Sequence, residues 1–231
     1  MVRSVARACW LVGMLVWAAC GGPADGDGGG DGQDPGNASR PGIGRSTAAP
    51  VGTPYVLPGG VELLQPIPGY DGDCIPMEQQ SQEEKGSGAL VRLCVALRNT
   101  ASTPVRVELP AGLIFVSDEL TTQNGLLVQG VPLEVPAQQT LYIPLHLYCL
   151  NEERAPSSPW DTFTLGPVTQ DPRLRELISL VEGKFLPVPG LTEVQAAVSN
   201  ITDGSGLTPQ DRESLRSLPA LGANPAPRLE R

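Results

Sequence analysis

The segment LHLYCLNEER, residues 145–154, ends an alternating apolar run on a cysteine and then turns polar and acidic. A thiol there is a nucleophile, a metal ligand, half of a disulfide or a small buried hydrophobe, and its partners in the chain decide which. His146 is the only histidine, which excludes two-histidine zinc motifs and leaves no second imidazole to serve as a base. No G-x-S-x-G elbow, P-loop or dinucleotide fingerprint is present. The paired carboxylates are Asp71 with Asp73 and Glu152 with Glu153. The first pair, in "GYDGDCIP", reads as a Gly-Asp turn ahead of a calcium loop, and the second need not converge on one substrate. The chain is therefore read as not an enzyme, with no catalytic residue, no cofactor and no metal.

The cysteines fall into two groups. Cys9 and Cys20 lie in "MVRSVARACWLVGMLVWAAC", where Arg3 and Arg7 precede an apolar run from Ala8 to Val16 and small residues precede Cys20. That order is that of a secretory signal peptide, too short for an ordinary membrane-spanning helix. Its "VWAAC" end resembles the lipobox of bacterial lipoproteins. The resemblance implies a signal peptide over residues 1–19 and lipidation of Cys20 as the mature N-terminus, with cleavage nearby at an ordinary signal peptide as the alternative. The Gly/Asp/Pro-rich residues 20–55 read as a disordered tether, because glycine leaves the backbone unrestrained and charge opposes collapse. The expected location is the bacterial cell envelope, at the outer membrane, reached through an N-terminal lipid.

Cys74, Cys94 and Cys149 remain, in an oxidising compartment and in odd number. Cys94 stands on the mixed face of its strand, Cys74 in a turn-rich stretch and Cys149 on an apolar face. The simplest bridge is Cys74–Cys94, closing a loop worth about 3 kcal/mol in the chain-entropy account. A Cys74–Cys149 bridge is its rival, since connectivity does not follow from sequence.

Cys149 acquires a second possible partner further along. "YCL" (Tyr148, Cys149, Leu150) and "VQAAV" (Val194 to Val198) together resemble the paired motifs of bacterial Cys–Gln thioester domains, with Ser199 where that family commonly has Trp. The resemblance implies an internal thioester between Cys149 and Gln195 and a covalent bond to a partner's amine. The other reading, preferred on the residues, is a structural cysteine buried where the last core strand meets a helical segment. Proximity of Cys149 to Gln195 or to Cys74 separates the two.

The elements that must position these residues are strands first, then helices. "GALVRLCVALRN" sets Val91, Leu93, Val95 and Leu97 against Arg92, Cys94, Ala96 and Arg98, the period of a strand with one buried face. "TPVRVELP" opposes Val105, Val107 and Leu109 to Arg106 and Glu108. "QQTLYIPLHLYCL" puts Leu141, Ile143, Leu145, Leu147 and Cys149 on one face, with Tyr142, Pro144, His146 and Tyr148 on an outer one. Pro144 cannot donate to a ladder, so this strand is expected at an edge or with a bulge. "NGLLVQGVPLEVP" carries a hairpin-like Asn-Gly.

These short strands predict an immunoglobulin-like antiparallel β-sandwich over residues 56–168. Helical spacing follows: Leu174, Leu177, Ile178 and Val181 behind an Asp171 cap and Pro172, then Leu191, Val194, Val198 and Ile201 behind Thr192, then Leu215 and Leu218 behind Thr208. Helices this short need tertiary support, so residues 169–219 are expected to pack on the sandwich, with 220–231 a flexible tail. The net charge of −9 argues against a nucleic-acid partner. The expected function is a lipid-anchored envelope module of non-enzymatic binding or structural role toward a protein or glycan. The alternative is a thioester-type surface adhesin.

Overall fold

The computed structural model describes residues 40–222 apart from 71, 73, 77, 78, 80–82, 152 and 189–191, so the signal peptide, Cys20 and Leu191 lie outside the described residues. Alternation produces the two longest strands. β5 (Val91–Asn99) and β10 (Thr140–Cys149) pair antiparallel in continuous register, from Thr140 opposite Arg98 to Leu147 opposite Val91. Their inward residues, among them Leu93, Val95, Ile143 and Leu145, are fully or almost fully buried. Each such aliphatic side chain contributes about 1.5–3 kcal/mol through removal from water.

Around this pair runs a curled sheet. β2 (Val61–Leu63) borders β5. On the other side of β10, β8 (Gly125–Leu126) takes over as partner at Tyr148 and Cys149. β7 (Leu113–Ser117), β11 (Thr162–Thr169) and β1 (Gly52–Thr53) follow in that order. β3 (Ile67–Pro68) adds to β11, and β4 (Lys85–Gly86) runs parallel to β10 at Leu145 and His146. A separate ribbon, β6 (Val105–Leu109) with β9 (Val131–Val135), closes the core with Val107, Leu109, Val131 and Val135. The result is an antiparallel β-sandwich.

Three helices, α1 (Pro172–Val181), α2 (Thr192–Thr202) and α3 (Pro209–Ser217), cover one sheet face. Leu174, Leu177, Val181, Val194, Val198, Ile201 and Leu215 meet Ile114, Leu126, Tyr148 and Leu150 in a second apolar cluster. Asp171 caps α1 by accepting from the Arg173 and Leu174 amides, and Thr208 with Asp211 forms a capping box on α3.

Four expectations are corrected. The tether does not extend to residue 55: Arg40 and Ile43 are buried and β1 pairs with β11, so residues 40–55 belong to the fold. Charge and glycine masked this, because only one apolar side chain, Ile43, carries the packing of its first part. β10 is an interior strand of the sheet and is not bulged, although over residues 140–144 no described strand pairs with its side away from β5. Its even-numbered residues direct their backbone groups away from β5, where Tyr142 N–H meets Gln79 Oε1 and His146 C=O meets the Ser87 amide. Pro144 shares that side, so its missing N–H removes no bond to β5. Asn124-Gly125 is not a hairpin turn; Asn124 is buried and Gly125 opens β8. Gly125 is required there because a Cβ would lie 2.6 Å from Leu147 Cδ1. His146 is not an outer-face residue: it is only 4 % exposed beneath β4.

Candidate functional site

β10 changes partners at its end. β5 stops at Val91, opposite Leu147, whereas β10 continues to Cys149 with β8 on its other side. The odd-numbered residues of β10 point their amide and carbonyl toward β5, so Cys149 has passed the end of its neighbour. α2 supplies what the missing strand does not. Its apolar stripe of Val194, Ala197, Val198 and Ile201 is buried against the sheet, and Gln195 stands half-buried on the flank of that stripe. The Cys149 N–H donates to Gln195 Oε1 at 2.9 Å, and Gln195 Nε2 donates to the Cys149 carbonyl at 3.3 Å. The side-chain carboxamide thus occupies the place of a peptide group in the next strand, and no backbone group of Cys149 is left orphaned.

The Cys149 side chain belongs to the sandwich core and is 3 % exposed. Cys74 and Cys94 form the disulfide, with Cα atoms 5.3 Å apart, so the rival Cys74–Cys149 bridge is not made. The fold therefore brings Cys149 and the Gln195 carboxamide into contact from 46 positions apart in sequence. The Cys149 N–H already addresses the carboxamide oxygen, where negative charge would develop if the amide carbon were attacked.

A buried amide network flanks this point, and the periodicity of the strands gives no sign of it. The Asn124 amide donates to Asn151 Oδ1 at 3.0 Å, and the Asn151 amide faces Gln123 Oε1 at 3.4 Å. Asn124 Nδ2 reaches the Gly42 carbonyl at 3.1 Å, and Asn151 Nδ2 reaches the Gly44 carbonyl at 2.7 Å. The Gly44 amide donates to the Leu150 carbonyl at 2.8 Å, one residue past Cys149. Arg40 completes the clasp: its Nε meets Asp171 Oδ2 at 3.0 Å and its guanidinium also donates to the Ile201 carbonyl at the end of α2. Three amide side chains close to strand ends are the only sequence signal for this cluster, and turns use the same residue types.

The remaining candidates take no part in the pair. His146 Nδ1 lies 3.2 Å from the Gly88 carbonyl, and Nε2 lies 3.4 Å from Glu84 Oε2 without hydrogen-bond alignment. Burial pushes its pKa below the ordinary imidazole value against the opposing pull of Glu84. Glu153 pairs with Arg45 at the surface, while Asp71, Asp73 and Glu152 lie outside the described residues. Among the described residues no group of acidic, histidine and cysteine side chains is arranged to hold a metal ion. No family model, no curated protein and no solved structure matches this chain.

Proposed function

We propose that this chain is the surface domain of a lipid-anchored bacterial envelope protein that bonds covalently to a partner amine through an internal thioester between Cys149 and Gln195. One observation carries the reading: the Gln195 carboxamide is docked on Cys149 by hydrogen bonds of 2.9 and 3.3 Å. In the forming step the Cys149 sulfur attacks the Gln195 amide carbon, the thiol proton leaves with Nε2, and ammonia departs. In the consuming step a partner's primary amine attacks the same carbon, an amide forms, and the thiol is restored. The burial of Cys149 keeps bulk water from the bond, and the Cys149 N–H supports the oxyanion in both steps. Attachment through Cys20 and the glycine-rich segment after it supplies the reach that such a tether uses. No side chain turns over, so the domain is a reagent and not an enzyme.

A second reading rests on the same two hydrogen bonds. An intact carboxamide satisfies both backbone groups of Cys149, so Gln195 serves as a structural clamp and the sandwich as a non-covalent binding module. Intact mass separates them. The thioester protein, prepared without amine buffers, is lighter by one ammonia than its sequence requires, and Cys149→Ala abolishes the deficit. Methylamine then adds to Gln195 and exposes one thiol. A mass equal to that of the sequence, with no methylamine uptake, leaves the clamp reading.

A further inference from the structure

Trp160 is 92 % exposed. Of the three tryptophans it is the only one beyond the first twenty residues, so the described residues spend their one indole on solvent. Its setting is not loose. It sits in the turn 158–161 of the β10–β11 connection, where the Ser158 amide donates to Asp161 Oδ2 at 2.6 Å and the Asp161 amide to the Ser158 carbonyl at 3.1 Å. The other Asp161 oxygen accepts from Thr122 Oγ1 at 2.9 Å, which nails the turn to the β7–β8 connection. Burial pushes the Asp161 carboxyl up, yet hydrogen bonds from Ser158 and Thr122 hold it below its ordinary pKa.

Two more apolar side chains join Trp160 at this end of the sandwich. Leu120, on the β7–β8 connection, is 64 % exposed. Leu90, whose carbonyl accepts from the Ser157 amide, is 44 % exposed. Around them the charge is negative. Asp118 and Glu119 are exposed beside Leu120, and Asp118 Oδ2 accepts from Thr162 Oγ1 at 2.6 Å, two residues from Trp160. Of the nearby cations, Arg154 is turned along the base of the loops toward the Thr122 and Ser46 carbonyls, and Arg92, whose backbone bonds to Ser157 Oγ, lays its guanidinium over the Tyr70 ring.

We propose that the Trp160 turn, with Leu120 and Leu90, is a docking surface for a protein that offers an apolar pocket bordered by lysine or arginine. A rigidly held, solvated Trp is the side chain that anchors protein interfaces, because it buries a large area and loses little side-chain freedom. The carboxylate rim selects the class of partner. It attracts a basic protein surface and repels the anionic headgroups of a membrane. Neither Cys149 nor Gln195 contributes, so the surface stands independently of the thioester.

The test pans a random peptide library against the immobilised full chain and measures the recovered peptides on variants. The expected peptides combine Lys or Arg with bulky apolar residues and bind at least about thirtyfold more weakly to Trp160→Ser. Leu120→Ser weakens them as well, Asp118→Asn with Glu119→Gln slows association and flattens its salt dependence, and Cys149→Ala changes nothing. Trp160 is exposed, so its variant keeps the parent melting temperature and serves as its own folding control. Peptides that are acidic, or whose binding ignores Trp160, overturn the proposal. So does Trp160-dependent binding to phosphatidylglycerol vesicles, which would make the surface a lipid contact.

Discussion

At the scale of single residues, His146 shows how a neighbour far away in sequence changes a side chain's chemistry. On β10 alone it belongs to an outer face, yet β4, the Gly88 carbonyl, the Glu84 carboxylate, the Arg92 guanidinium and the edge-on Tyr70 ring enclose it. Desolvation is the largest influence and lowers its pKa in the folded state from 6.5. A depressed imidazole pKa means that the unfolded chain takes up the proton more readily than the folded one. The stabilising contribution is therefore complete above about pH 6.5 and is lost as pH falls from there through the folded value. Urea denaturation should show stability declining from about pH 7.5 to pH 5 in the parent, with a flatter profile in His146→Gln. Equal slopes would remove His146 from the account. Gln195 illustrates the converse. Its position on the flank of the α2 stripe permits a solvated side chain, and only the place where β5 ends makes it the partner of Cys149.

At the scale of elements, strict alternation was readable and short pieces were not. β5, β6 and β10 announce themselves because every second residue is Val, Leu or Ile, and the cap residues Asp171 and Thr208 mark two helix starts where the structure has them. β1, β3, β4 and β8 have two residues each, too few to express any period, and they form only because a longer strand offers a ladder. Those short pieces decide the site: β4 buries His146, and β8 draws β10 beyond β5. The pairing of Cys74 with Cys94 was one of two open possibilities, and the position of Cys149 inside the apolar core leaves only the first. The faces of β5 make a direct test. Leu93→Asp puts an unpaired charge at a fully buried point and should cost on the order of 4 kcal/mol or more, enough to unfold the domain. Arg92→Asp, on the partly exposed face, loses a cation–π contact with Tyr70 and should cost roughly 1 kcal/mol. Equal melting-temperature losses in the two variants would contradict the observed faces.

For the whole molecule, the proposed attachment at Cys20 makes a prediction of its own. Cys20→Ser should move the protein from the membrane fraction to the soluble fraction and abolish incorporation of labelled fatty acid; continued labelling would place the lipid elsewhere. Under the proposed chemistry the chain is held at one end by lipid and at Gln195 by the amide to its partner, and so is a chain under tension. Pull applied along residues before Arg40 arrives at the Arg40–Asp171 ion pair and at Gly44, whose amide holds the Leu150 carbonyl. It leaves through α2, which carries Gln195 and whose Ile201 carbonyl Arg40 also holds. Traction therefore crosses the domain over a few buried hydrogen bonds at one end, and the long ladder of β5 with β10 carries almost none of it. In mechanical terms the amide clasp would then act as a shunt: the sandwich would stay slack while the proposed anchor and catch bore the load.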